Sequence, residues 1–334
     1  MQWVDDQTLQ FDTMAISVPK YLEFVKNELN SLKEFLRSTV MFNIPLEEFN
    51  ALCDSSSLGV LENPPSMGSN PLFPGNSCFY NKDSSYFLLN KDAISFVAYM
   101  IKLQLLGLES MALPQNVLAP SPNTTPVEWD DEKCHQWLSD VHTAWERAYC
   151  LYHTTSGLPG RTTEEVILRM THSASGPVNL FVIDGKLQTQ SDYNKSSNTT
   201  GLHKHITRVF HPTLAHIFLL LIMCVRPLEL QVLRGVSDTD DSVDFAYTTM
   251  LFASWGKAWN SKEATEAFSA WLQNGLSLKF TTGIAFYRQF ATVLQRKWLY
   301  EADSSVYSNS GHGVSTIDQF DIVSKWWQTK LQLN

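Results

Sequence analysis

Residues 156 to 165 read SGLPGRTTEE, in which a glycine and a proline interrupt the chain and an Arg-x-x-Glu pattern opens a helix. Upstream, Glu128 to His153 carries the Trp- and Leu-rich pattern of a long helix ending near Gly157 and Pro159. Downstream, Asn179 to Ile183 and Leu187 to Tyr193 flank Asp184-Gly185, and Asp-Gly between apolar runs predicts a tight β-hairpin. From His211 onward most of the chain reads helical. Further upstream, Leu22, Val25, Leu29, Leu32 and Leu36 recur at three and four residues, which predicts an amphipathic helix over Tyr21 to Arg37. A second helical block spans Asp92 to Leu108, after a loop rich in Pro, Gly, Ser and Asn at Asn63 to Ser77. The strongest boundary is Leu113 to Val127, LPQNVLAPSPNTTPV, whose four prolines forbid regular helix. The expected architecture is therefore mainly α with a small β-hairpin or sheet (α+β). A helical domain with a Pro-rich linker over residues 1–126 precedes a second domain over 127–334.

With 44% hydrophobic and 18% charged residues, the 334-residue chain has the composition of a folded protein, long enough for two cores. Cys53, Cys78, Cys134, Cys150 and Cys224 are odd in number and without a CxxC pair, which points away from a disulfide framework or zinc ribbon and toward a reducing compartment. The longest apolar run, Ile217 to Val225, is short for a membrane span, so no membrane partner is expected. A net charge of −9 opposes nucleic-acid binding when taken as one number. Its distribution reverses that reading. The first sixty residues hold nine acidic and four basic side chains, whereas Tyr193 to Leu228 is acid-free and carries Lys195, Lys204, Arg208 and Arg226. Ala267 to Tyr300 is acid-free too, with Lys279, Arg288, Arg296 and Lys297. Such stretches in an acidic chain suggest a face reserved for polyanion.

Breaking a phosphodiester without a metal requires cations on the nonbridging oxygens, an acid for the leaving 5′-oxygen and an in-line nucleophile. SGLPGRTTEE resembles the first box of the tyrosine recombinase family, with Arg161 as its arginine. NLFVIDGKLQTQSDYNKS matches the hairpin that, in this family, presents a general-acid lysine, here Lys195. GLHKHITRVFHP is similar to the family's next strand, FYRQFATVL to its second-arginine box with Arg288, and SGHGVSTIDQF to its last box with His312. The order is collinear over Gly157 to Phe320, half the chain, and looks most like the recombinase-like regions of fungal telomere-linked helicase reading frames and Crypton relatives. Two positions depart from the pattern. Ala285 replaces the usual histidine or lysine three residues before Arg288, leaving Tyr287 to supply a hydrogen bond, and Phe320 occupies the place of the nucleophilic tyrosine.

The resemblance implies a DNA strand-exchange protein in which Arg161 and Arg288 hold the scissile phosphate, Lys195 protonates the 5′-oxygen and His312 orients a nonbridging oxygen. It implies no cofactor, a nuclear location, double-stranded DNA as partner, and protomers pairing as a dimer or tetramer. Lys204, Arg208, Arg296, Lys297 and Tyr287 would add DNA contacts, and the N-terminal region would clamp the duplex. A phenyl ring has no oxygen to attack phosphorus, so the chain should bind DNA without cleaving it. Two other readings stay open: a catalytically dead targeting module, and a helical interaction scaffold with no nucleic-acid role. Taken singly, Arg161 reads as a first-turn partner of Glu164 or Glu165, and Lys195 as a solvated lysine. Arg288 lies among Phe286, Phe290 and Val293, where an arginine needs an anionic partner. Arg226-Pro-Leu-Glu229 also satisfies Arg-x-x-Glu. His203, His205 and His211 read as solvated strand histidines rather than a metal cluster, and Trp326 and Trp327 as packing residues.

Overall fold

The computed structural model of the protein describes residues 1–12, 14–45, 101, 105, 129–157, 159–171, 173, 176–183, 186–191, 206–278 and 283–306. Three strands come first, β1 (Gln2–Trp3), β2 (Thr8–Phe11) and β3 (Met14–Ser17), and form an antiparallel sheet. Helix α1 (Val18–Phe35) follows and continues into a π-turn at Leu36–Val40. The long helix α2 (Asp131–Thr155) is the axis of the described structure. Asp130 caps it by accepting a bond from the Lys133 backbone amide at 3.1 Å, and Asp131 and Glu132 complement the positive end of the helix dipole. Its first half buries one face, through Trp137, Leu138, Val141 and Trp145. Its last turns, Ala148 to Thr155, are buried on every side.

A single turn, α3 (Thr162–Glu165), precedes β4 (Leu180–Ile183), β5 (Lys186–Ser191) and β6 (Ile206–Val209). These pair antiparallel in the order β4-β5-β6, with Ile183 opposite Lys186 across the Asp184-Gly185 position. Helix α4 (Pro212–Leu220), a π-turn at Leu221–Val225 and α5 (Arg226–Val236) form one continuous helical run. That run is long and apolar enough to cross a membrane, but 83% of its most apolar window lies inside the protein, so core burial accounts for its composition. The chain continues through α6 (Asp241–Thr249), the short hairpin β7 (Ala253–Ser254) and β8 (Lys257–Ala258), α7 (Ser261–Leu276) and α8 (Ile284–Val306). The described residues are thus mostly helical with small antiparallel sheets, as expected.

Three local points differ from the sequence reading or fall outside it. The N-terminal sheet was not foreseen. The proposed junction at 113–127 and most of the Asp92 to Leu108 block lie outside the described residues, and the described residues on both sides share one core. Within it α1 packs on α2 and α7, Trp137 Nε1 donates to the Val40 carbonyl at 2.9 Å, and Phe11 meets Phe286 edge-on at 5.1 Å. On α1 the core face is Val18, Tyr21, Val25, Leu29 and Leu32, with Leu22 only partly buried.

His211 is the third. It is 7% exposed at the N-cap of α4 rather than solvated, and burial pushes its imidazole down from 6.5 to about 4. His203 and His205 lie outside the described residues. Because the folded value lies below the unfolded one, stability present above pH 6.5 is lost as pH falls toward 4. The loss is roughly 3 kcal/mol. Denaturant titrations of the wild type and His211→Phe across that range should show the wild type losing this much more, and parallel pH profiles would refute the assignment.

Candidate functional site

The last turns of α2 place Tyr149, Tyr152, His153 and Thr154 in the interior, where polar atoms need partners. They meet Glu165, which is fully buried at the end of α3. Its Oε2 accepts from the Tyr149 hydroxyl at 3.1 Å and lies 2.7 Å from His153 Nδ1, while its Oε1 accepts from the Gly160 amide at 3.0 Å. Arg208 of β6 enters from the other side. A Cβ on Gly160 would lie 2.6 Å from the Arg208 guanidinium and 2.7 Å from Glu165, so only glycine allows the backbone this close. Burial alone would push the Glu165 carboxyl up, but His153, Arg208 and Tyr149 hold it below the ordinary carboxylate range. Burial likewise opposes the charge on Arg208, and Tyr152, Glu165 and Glu164 outweigh it, so its pKa rises.

This network fastens the elements that carry the expected boxes. The Gly160 and Glu165 bonds hold the turn before and after Arg161. Tyr152 shares a hydrogen bond with Thr189 of β5 at 2.8 Å, and Thr189 pairs with Arg208 of β6, which ties in both strands flanking the segment that contains Lys195. Helix α8 docks through Tyr287, whose hydroxyl donates to the Thr154 carbonyl at 3.1 Å and lies 2.9 Å from that of Tyr21 on α1. The His153 ring sits 5.5 Å from that of Tyr287, so the Arg288 helix and the Arg161 turn meet at the same histidine.

Arg161 caps α3, with its amide donating to Glu164 at 3.1 Å, while its side chain is 41% exposed and 3.8 Å from that carboxylate. The backbone cap, more than the loose ion pair, is what Glu164 secures. Arg288 is half-buried and has no ion pair among the described residues. Arg296 is exposed on the same helix. Lys195, Lys204, Lys279, His312, Phe320, Trp326 and Trp327 lie outside the described residues.

Three expected DNA contacts change, and the alternative Arg-x-x-Glu arginine is enclosed. Arg208 is 5% exposed and spends its charge on Glu165 and Tyr152 rather than on a surface ligand. Tyr287 is 1% exposed, and its hydroxyl is committed to α1 and α2. Lys297 donates to the Asp6 carbonyl at 2.7 Å and lies 4.0 Å over the Trp3 ring, fastening α8 to the N-terminal sheet. Arg226, the second Arg-x-x-Glu arginine, is 2% exposed and donates to the Ala253 and Leu251 carbonyls between Trp145 and Tyr247. An enclosed guanidinium cannot reach a ligand at the surface, whereas the Arg161 side chain is 41% exposed.

Sequence reasoning missed Glu165 as an anchor, along with its partners Tyr149, Tyr152 and His153. The Glu164-Glu165 pair after the arginine was visible, but which carboxylate turns inward depends on groups from other elements. The scan against protein-family models finds no matching family, and no solved structure matches the chain.

Proposed function

We propose that the protein is a DNA-binding, strand-exchange protein of the tyrosine recombinase type that binds duplex DNA without cutting it, because Phe320 stands where the nucleophile would be. The observation that supports this reading is the convergence of the Arg161 turn, the β5 and β6 strands flanking Lys195, and the Arg288 helix on the Glu165 network. A half-buried Arg288 with no ion pair among the described residues suits a phosphate oxygen, and a partly exposed Arg161 suits another. On this reading Lys195 protonates the leaving 5′-oxygen and His312 orients the phosphate. The protein works in the nucleus as paired protomers. The other reading favoured by Phe320 is a targeting module that uses the same surface with its affinity spread over many cations.

Duplex binding separates the two. On a pooled labelled duplex, Arg161→Ala and Arg288→Ala should each weaken binding about tenfold. Each should also lower the slope of log affinity against log salt by about one. Retained affinity in both variants would favour the targeting module, and no duplex binding by the wild type would remove the DNA reading altogether.

A further inference from the structure

A cavity of about 250 Å³ opens between α2, the β7-β8 hairpin and α7, away from the Glu165 network. Its floor is Trp259, 5% exposed, held by an Nε1 bond to Ser254 Oγ at 2.7 Å and stacked on Phe252 at 5.9 Å. His142 stands beside it, 5.9 Å away at 73°, with Nδ1 on the same Ser254 hydroxyl at 2.8 Å. Trp255 completes a third wall, 6.5 Å from His142 at 60°, and is 41% exposed. The rim carries Glu146, Glu263 and Glu266: Lys257 pairs with Glu263, Glu146 lies 3.4 Å from His142 Nε2, and Glu266 lies 3.8 Å from the exposed Lys262.

The turn makes Trp255 informative. Trp255 and Gly256 form the two-residue connection between β7 and β8, with φ values of 51° and 75°. Positive φ at both positions suits Asn-Gly, whereas a bulky side chain at the first is strained and needs compensation elsewhere. Trp255 stays 41% exposed beside His142 and is not part of the buried core, so core burial does not account for a tryptophan at this turn. Three aromatic rings at steep angles, with three rim carboxylates against the two lysines Lys257 and Lys262, match a cation in charge and in π-face geometry.

We infer that this cavity binds a lysine or arginine side chain from a basic segment of a partner protein. The volume suits one long cationic side chain, and the acidic rim repels nucleic acid, so the site is separate from the proposed DNA surface. Fluorescein-labelled peptides alternating alanine with arginine, lysine, trimethyl-lysine or glutamate, titrated with the full chain by anisotropy, provide the test. The cationic peptides should bind in preference to the glutamate peptide. Trp255→Asn, which relieves the turn and leaves the net charge unchanged, should weaken that binding about tenfold without reducing thermal stability. Unchanged binding in Trp255→Asn would assign the affinity to the general acidity of the chain and overturn the inference, as would a wild type indifferent to peptide charge.

Discussion

Glu165→Ala is expected to destabilise the protein by roughly 3–5 kcal/mol, because it removes one partner of a buried charge network and leaves the others in place. Arg208 would lose one of the groups that sustain its buried charge, and Tyr149, His153 and the Gly160 amide would each lose an acceptor. Glu165→Gln should fall between alanine and the wild type, since the amide oxygen can still accept one of those bonds. The sign of the pH dependence follows from the depressed carboxyl. Its contribution is fully present above the ordinary value of 4.5 and is lost as pH falls through the lower folded value. Denaturation of the wild type and both variants at neutral and acidic pH would therefore show the gap narrowing in acid. A gap that stays constant, or a neutral-pH cost below about 1 kcal/mol, would show that Glu165 is not the anchor. The consequence for function is indirect: as the turn around Arg161 loosens, duplex affinity should fall even at temperatures where the chain remains folded.

The way these elements were read from sequence explains which assignments changed. The β4-β5 hairpin was legible because its information is local: Asp-Gly sits between two apolar runs, and Ile183 faces Lys186 across it. Helices α1 and α2 were legible for the same reason, one by its periodicity and the other by its Trp- and Leu-rich pattern and a stop near Gly157, whose φ is 103°. Strands β1 to β3 are two to four residues long among aspartates, and their support comes from Phe286 and Lys297 at the far end of the chain. The charge reading failed in the same physical way. Arg208 and Lys297 lie in acid-free windows, yet their carboxylate or carbonyl partners are Glu165 and Asp6, brought near only by folding. An acid-free window records the absence of local partners, not of tertiary ones. Arg161 and Arg288 differ from these two in their partners: the first lies a loose 3.8 Å from the neighbouring Glu164, and the second has no ion pair among the described residues.

Phe320→Tyr is expected to convert a protein that forms no covalent DNA adduct into one that does. The single atom it adds is the missing chemical requirement on the proposed reading. The phenolic oxygen would attack phosphorus while Arg161 and Arg288 hold the nonbridging oxygens, forming a phosphotyrosine ester as the P–O bond to the 5′-oxygen breaks. Lys195 would deliver the proton that the departing 5′-oxygen needs while the phenol releases its own to water, so the step balances without an oxidant, metal or nucleotide. The ester conserves the bond energy, and attack by a 5′-hydroxyl returns the DNA. A suicide substrate, in which the leaving strand is nicked and diffuses away, would accumulate the adduct as a band of reduced mobility on a denaturing gel. Random-sequence duplexes are the appropriate pool, because the residues argued for contact phosphate and carry no base code. The combination with Arg161→Ala distinguishes recombinase chemistry from adventitious cross-linking: the double variant should lose the adduct by at least about a hundredfold. If Phe320→Tyr yields no adduct while duplex binding still depends on Arg161 and Arg288, the strand-transfer chemistry is refuted and the two arginines remain phosphate ligands only. A phenylalanine would then complete the surface rather than block its chemistry.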